Sequence, residues 1–113
     1  KLGARVYELR TYYTHPGKMN DLHSRFRDHT NRIFVKHGMT LIGYWTPDDG
    51  DNAENTLVYL LAHESREAAK KSWAEFSADP EWKKVYADSH VNGELVAKVE
   101  SRFLNPTDYS PLR

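Results

Sequence analysis

What most restricts this chain is the order in which its hydropathy changes period. Stretches alternating every second residue enclose stretches repeating every 3.6 residues, and the two kinds demand different backbones. Residues 6–13 alternate, with Tyr7, Leu9, Thr11 and Tyr13 on one side and Val6, Glu8, Arg10 and Tyr12 on the other. This predicts a strand, stopped by the turn-forming run Thr14-His15-Pro16-Gly17. Over residues 18–37, Met19, Leu22, Phe26, Thr30, Ile33 and His37 fall on one helical stripe, and Gly38 stands where a helix end takes positive φ. Residues 39–46 and 55–62 read as two strands of a hairpin around a loop rich in Asp, Gly and Asn. Ser65 is placed to cap a helix carrying Ala69, Trp73 and Phe76 on one face. Asp79-Pro80-Glu81 then restarts a helix, with a capping side chain, a first-turn proline and an acid at the positive end of the dipole. Its stripe is Trp82, Val85, Tyr86 and Ser89, and Asn92-Gly93 ends it. The last strand, residues 95–104, sets Leu95, Ala97, Val99, Ser101 and Phe103 against Val96, Lys98, Glu100, Arg102 and Leu104; residues 105–113 form an extended tail.

The order is therefore β-α-β-β-α-β in one domain spanning residues 1–113. That is the split βαβ pattern of α+β ferredoxin-like folds, a four-stranded antiparallel sheet with helices on one face. The first and last strands become antiparallel neighbours. Pairing Glu8 with Arg102 and Arg10 with Glu100 avoids the like-charge contacts of a two-residue slip, so that register is expected. It also sets Val6 against Leu104, Tyr12 against Lys98, Tyr7 against Phe103 and Thr11 against Val99.

Helices cover one face of such a sheet, and the face with Tyr7, Leu9, Tyr13, Leu95, Val99 and Phe103 is the expected one. The third strand is apolar on both sides, Leu57, Tyr59 and Leu61 against Val58, Leu60 and Ala62. The second strand likewise offers Leu41 and Trp45 against Ile42 and Tyr44. Monomers rarely expose an apolar patch of that extent. The expectation is a homodimer packed sheet on sheet, a dimeric α/β barrel with the charged pairs inside it or at its edge.

Composition removes other partners. Sixteen basic residues balance sixteen acidic ones, against the basic excess of a nucleic-acid binder. The chain has no cysteine, which excludes disulfides, thiolate metal sites and cysteine nucleophiles. The longest apolar run, residues 57–62, is far too short for membrane insertion. A cytoplasmic location is expected, although a start at Lys1 rather than Met leaves room for an upstream targeting segment.

Three groups of residues are candidate sites. Glu8, Arg10, Glu100 and Arg102 under an apolar lid suit binding of a carboxylate or proton transfer by a carboxyl of shifted pKa; as plain ion pairs they fix register and dimer. Tyr12, Tyr44, Trp45 and Tyr59 suit a flat aromatic ligand, or simply core. Trp73, Phe76 and Trp82 read as helix-to-sheet packing. Among His15, His23, His29, His37, His63 and His90 no pair has the i, i+4 spacing of helical metal ligands. No metal and no cofactor is called for. Haem, held through His23 or His37, is the alternative, against interior histidines satisfied by hydrogen bonds or a helix dipole. The acidic run Asp48-Asp49-Gly50-Asp51 lacks the spaced ligands of a calcium loop and reads as a solvated turn.

The run Val6-Tyr7-Glu8-Leu9-Arg10-Thr11-Tyr12, followed by Pro16-Gly17-Lys18, resembles the opening of the NIPSNAP family. So do Arg25-Phe26 with His29, His37-Gly38-Met39, Gly43-Tyr44-Trp45, Asp79-Pro80-Glu81-Trp82 and the tail from Leu104-Asn105-Pro106 to Ser110-Pro111. The resemblance implies a dimeric α+β barrel, a superfamily that also holds small monooxygenases and haem-handling proteins, and carries no catalytic residues with it. Two functions follow as expectations. One is a homodimeric module for a small ligand or a protein partner. The other is a cofactor-independent, monooxygenase-like enzyme, which needs a cavity reached by Glu8 or Arg10.

Overall fold

In the computed structural model, which describes residues 5–113, the chain opens with β1 (Val6–Thr14). One helical rod follows, made of α1 (Met19–Arg25), a π-turn (Phe26–Thr30) and α2 (Asn31–Lys36). Then come β2 (Thr40–Trp45), a 3-10 turn (Ala53–Asn55), β3 (Thr56–His63), α3 (Arg66–Ala78), α4 (Pro80–Ser89) and β4 (Val96–Leu104). The strands form one antiparallel sheet in the order β2-β3-β1-β4, as the split βαβ pattern requires.

Local chemistry sets the helix ends where expected. Ser65 accepts the Ala68 amide at 3.0 Å to start α3, and Asp79 accepts the Glu81 amide at 2.8 Å to start α4 behind Pro80. Gly38 takes φ +86° after α2, and the amides of Gly38 and Met39 return to Val35 and Phe34. The π-turn was not foreseen. Within it Thr30, on the expected stripe, is buried and its hydroxyl donates to the Arg25 carbonyl at 3.2 Å, while His29 is exposed.

The register between β1 and β4 corrects the sequence expectation. Glu8 pairs with Phe103, Leu9 with Arg102, Arg10 with Ser101 and Thr11 with Glu100. Charge complementarity distinguishes registers two residues apart, which keep every side chain on its face. The actual pairing lies one residue away, which exchanges the faces. Glu8, Arg10 and Tyr12 therefore point toward the helices with Leu61, Tyr59 and Leu57 of β3. Tyr7, Leu9, Thr11 and Tyr13 lie on the outer face instead.

The core between sheet and helices gathers Tyr12, Leu22, Phe26, Ile33, Phe34, Leu57, Tyr59, Leu61, Phe76 and Leu95. Phe34 and Phe76 stand 4.9 Å apart, and Phe76 and Trp82 4.5 Å, both contacts between helices, whereas Trp73 reaches the sheet, its ring 4.2 Å from the Arg10 guanidinium. Val99, paired with Tyr12 on the edge strand β4, is nonetheless 45% exposed. The outer face carries Val58 and Leu60 of β3 beside Leu9 and Thr11 of β1. Trp45 lies across Gly43 there, so close that a Cβ at Gly43 would meet its ring at 2.7 Å.

Candidate functional site

Alternate residues of β1 share a face, so Glu8, Arg10 and Tyr12 stand in a row beneath α3. Glu8 is 2% exposed, a burial that an unaided carboxylate does not tolerate. Four donors surround it. His63 Nε2 at 2.9 Å and Trp73 Nε1 at 2.8 Å donate to Oε1, while the Ser101 hydroxyl at 2.8 Å and Arg10 Nη1 at 2.9 Å donate to Oε2. Burial pushes the Glu8 pKa up, but these hydrogen bonds and the Arg10 charge outweigh it and hold the carboxyl at about 2. Arg10 is anchored in turn by the Tyr59 hydroxyl at 2.8 Å, the Tyr12 hydroxyl at 3.3 Å and the Trp73 ring at 4.2 Å. The Tyr59 hydroxyl donates to that of Tyr12 at 2.9 Å. A carboxylate has about four lone-pair sites, and all of those on Glu8 are taken. It is a fully hydrogen-bonded anion and a weak base.

The predicted four-charge cluster does not assemble. Glu100 and Arg102 lie on the opposite side of the sheet, where Glu100 accepts from the Tyr13 hydroxyl at 3.1 Å and pairs with Lys98 at 3.2 Å. Three partners of Glu8 escaped the sequence reading. His63, Trp73 and Ser101 are 55, 65 and 93 residues from it, distances that no local pattern spans. One signal was available: an inward-facing tryptophan needs an acceptor for its indole N–H.

The predicted aromatic set divides. Tyr12 and Tyr59 belong to the core and spend their hydroxyls on Arg10. Tyr44 and Trp45 line a cavity of about 360 Å³ between the first helical rod and β2, together with His23, Phe26, Asn31 and Leu57. Tyr44 stacks on Tyr59 at 4.9 Å and meets Phe26 edge-on at 5.5 Å. Its hydroxyl and the Asn31 Oδ1 are both buried without a hydrogen-bond partner among the described residues. Burial raises the Tyr44 phenol above its ordinary pKa, so it stays protonated and available as a donor. Neither Glu8 nor Arg10 lines this cavity or the larger groove against α4.

Of the two histidines considered for haem, His23 lines the β2 cavity, whereas His37 is engaged by Asp79 through Nε2 at 2.7 Å. Among the described residues no three His, Asp or Glu side chains gather as metal ligands. No described helix is long and apolar enough to cross a membrane.

A split βαβ sheet with all its helices on one side is the fold of the dimeric α/β barrels. The chain belongs to the NIPSNAP family, whose model matches residues 7–111. It is similar to a NIPSNAP family protein of unknown function from Agrobacterium tumefaciens, with 25% identity over 100% of this chain and 97% of that one and a TM-score of 0.85. An uncharacterized NIPSNAP-like domain protein from Burkholderia xenovorans is 25% identical over 95% of this chain and 89% of that one, with a TM-score of 0.81. SnoaB from Streptomyces nogalater, a cofactor-independent oxygenase, shares the fold at 14% identity over 96% of this chain and 99% of that one, with a TM-score of 0.62. No curated protein sequence matches the chain.

Proposed function

We propose that this NIPSNAP protein is a homodimeric binding module that holds a small, flat, hydrogen-bonding molecule in the cavity beside Tyr44. The observation carrying this reading is that one cavity is lined by both Tyr44 and Asn31, whose hydroxyl and Oδ1 are buried with no hydrogen-bond partner among the described residues. Unsatisfied buried groups are few in native proteins, and a ligand offering an acceptor to Tyr44 and a donor to Asn31 accounts for both. Tyr44 and Phe26 supply aromatic surface for a planar body. Dimerisation through the outer sheet face is supported by its apolar strip, Leu9, Val58, Leu60 and Trp45, the last 55% exposed. The saturation of Glu8 favours binding over proton-transfer catalysis.

The test uses 4-hydroxybenzamide as probe, followed by amide chemical shifts and tryptophan fluorescence. Saturable shifts centred on residues 44–46 are expected, with affinity reduced several-fold in Tyr44→Phe. Because the Tyr44 hydroxyl lacks a partner among the described residues, the same variant should unfold at or slightly above the wild-type temperature. A probe that binds Tyr44→Phe as well as wild type, or that shifts nothing near the cavity, overturns the reading.

A further inference from the structure

On the far side of the first helical rod, between α1, the π-turn and α4, lies an open groove of about 530 Å³. That volume suits a small molecule. Its polar centre is Arg25, only 7% exposed. The guanidinium lies over the rings of Trp82 at 5.1 Å and Tyr86 at 5.8 Å. It makes a single side-chain hydrogen bond among the described residues, Nη1 to the Ser89 hydroxyl at 3.2 Å. Nε is buried and has no partner among the described residues. The other long basic chains of the groove are already committed, Arg32 to Glu81 at 2.6 Å and Lys84 to Asp88 at 2.8 Å.

A buried guanidinium facing phenols and indoles rather than a carboxylate bears its desolvation uncompensated. Burial accordingly lowers the Arg25 pKa, and the opposing influences come from Tyr12, Tyr86 and Tyr59. Its planar fork of N–H groups matches the two oxygens of a carboxylate. Val85 and Val91 offer apolar surface in the same groove, whereas Asp21 and Asp28 add negative charge to it. Those two acids select against a multiply charged anion. Arg25 also immediately precedes the π-turn, a rare winding found preferentially at functional sites.

We propose that this groove is a second binding site, separate from the Tyr44 cavity, for a small monocarboxylate. The carboxylate bonds the Nε edge of Arg25 and the apolar body rests against Val85 and Val91. Calorimetric titration of the intact protein with benzoate tests it, with benzamide as the uncharged counterpart and inorganic phosphate as the multiply charged one. Amide and guanidinium Nε–H shifts locate the site. Expected are saturable benzoate binding, movement of the Arg25 Nε–H resonance, and much weaker binding of benzamide and phosphate at that position. Arg25→Gln should lose at least about tenfold in affinity, while Arg32→Gln, which removes a rim charge already paired, should bind as wild type. If Arg25→Gln does not fold, the wild-type Nε–H resonance decides alone: movement on titration supports the site, and a fixed resonance overturns it. Absence of saturable benzoate binding overturns it too, as does equal affinity in folded Arg25→Gln.

Discussion

At the scale of single residues, Glu8 joins the two halves of the molecule. Its carboxylate on β1 ties β3 through His63, α3 through Trp73 and β4 through Ser101. Replacing Glu8 by Gln removes the charge that balances Arg10 and turns an amide N–H₂ toward groups that are themselves donors. The expected cost is about 3–5 kcal/mol, the penalty for breaking a buried pair, measured by urea unfolding at neutral pH. The pH dependence follows from the same bonds. The folded carboxyl titrates at about 2 rather than the ordinary 4.5, so the folded state binds fewer protons across that window. Its stabilisation is complete above 4.5 and lost as pH falls through about 2, roughly 3 kcal/mol in all. Asp79, which His37 and Lys36 hold below the carboxylate range, acts in the same direction. Glu8→Gln should therefore flatten the acid limb of the stability curve without abolishing it. An unchanged acid limb would remove Glu8 from this role.

At the scale of elements, the two helix starts differ in what they hold. Ser65 caps α3 and is otherwise exposed, so Ser65→Ala should cost about 1 kcal/mol in a thermal melt. Asp79 caps α4 while accepting from His37 at 2.7 Å and pairing with Lys36 at 2.9 Å. Asp79→Ala should therefore cost more than Ser65→Ala, because it also releases the C-terminus of α2 from α4. Equal costs would mean that the His37 contact contributes nothing. These caps were legible because a cap is chemistry between neighbours in sequence. The π-turn was not, since the stripe from Met19 to His37 has nearly the same spacing with or without one wide turn. The shift within β2 between Leu41 and Gly43 escaped for a similar reason: a bulge adds one residue without changing composition.

At the scale of the whole molecule, the outer sheet face is where the proposed dimer is tested. Leu60 stands near its middle, paired with Leu9 on one side and Gly43 on the other. Light scattering on wild type should give twice the 13.1 kDa protomer mass, and Leu60→Asp should return a folded protein of one protomer mass. A wild-type protein of single protomer mass at micromolar concentration would end the dimer proposal. Moving Glu8 and Arg10 to the helix side makes this face more apolar than the sequence suggested, with Lys98, Glu100 and Arg102 left on the β4 edge strand.

The sequence by itself determined the element order, the strand order and the helix caps, because periodicity, turns and capping act over a few residues. It also carried the family, through an ordered series of short motifs along most of the chain. Only the tertiary structure decided which face of β1 turns inward. A buried Glu looks unfavourable until four donors from distant segments meet it, and those encounters are made by the fold rather than by any local pattern. The same holds for the two orphan atoms beside Tyr44 and the unpaired Nε of Arg25. Whether a polar group lacks a partner depends on everything packed around it, which no stretch of sequence contains.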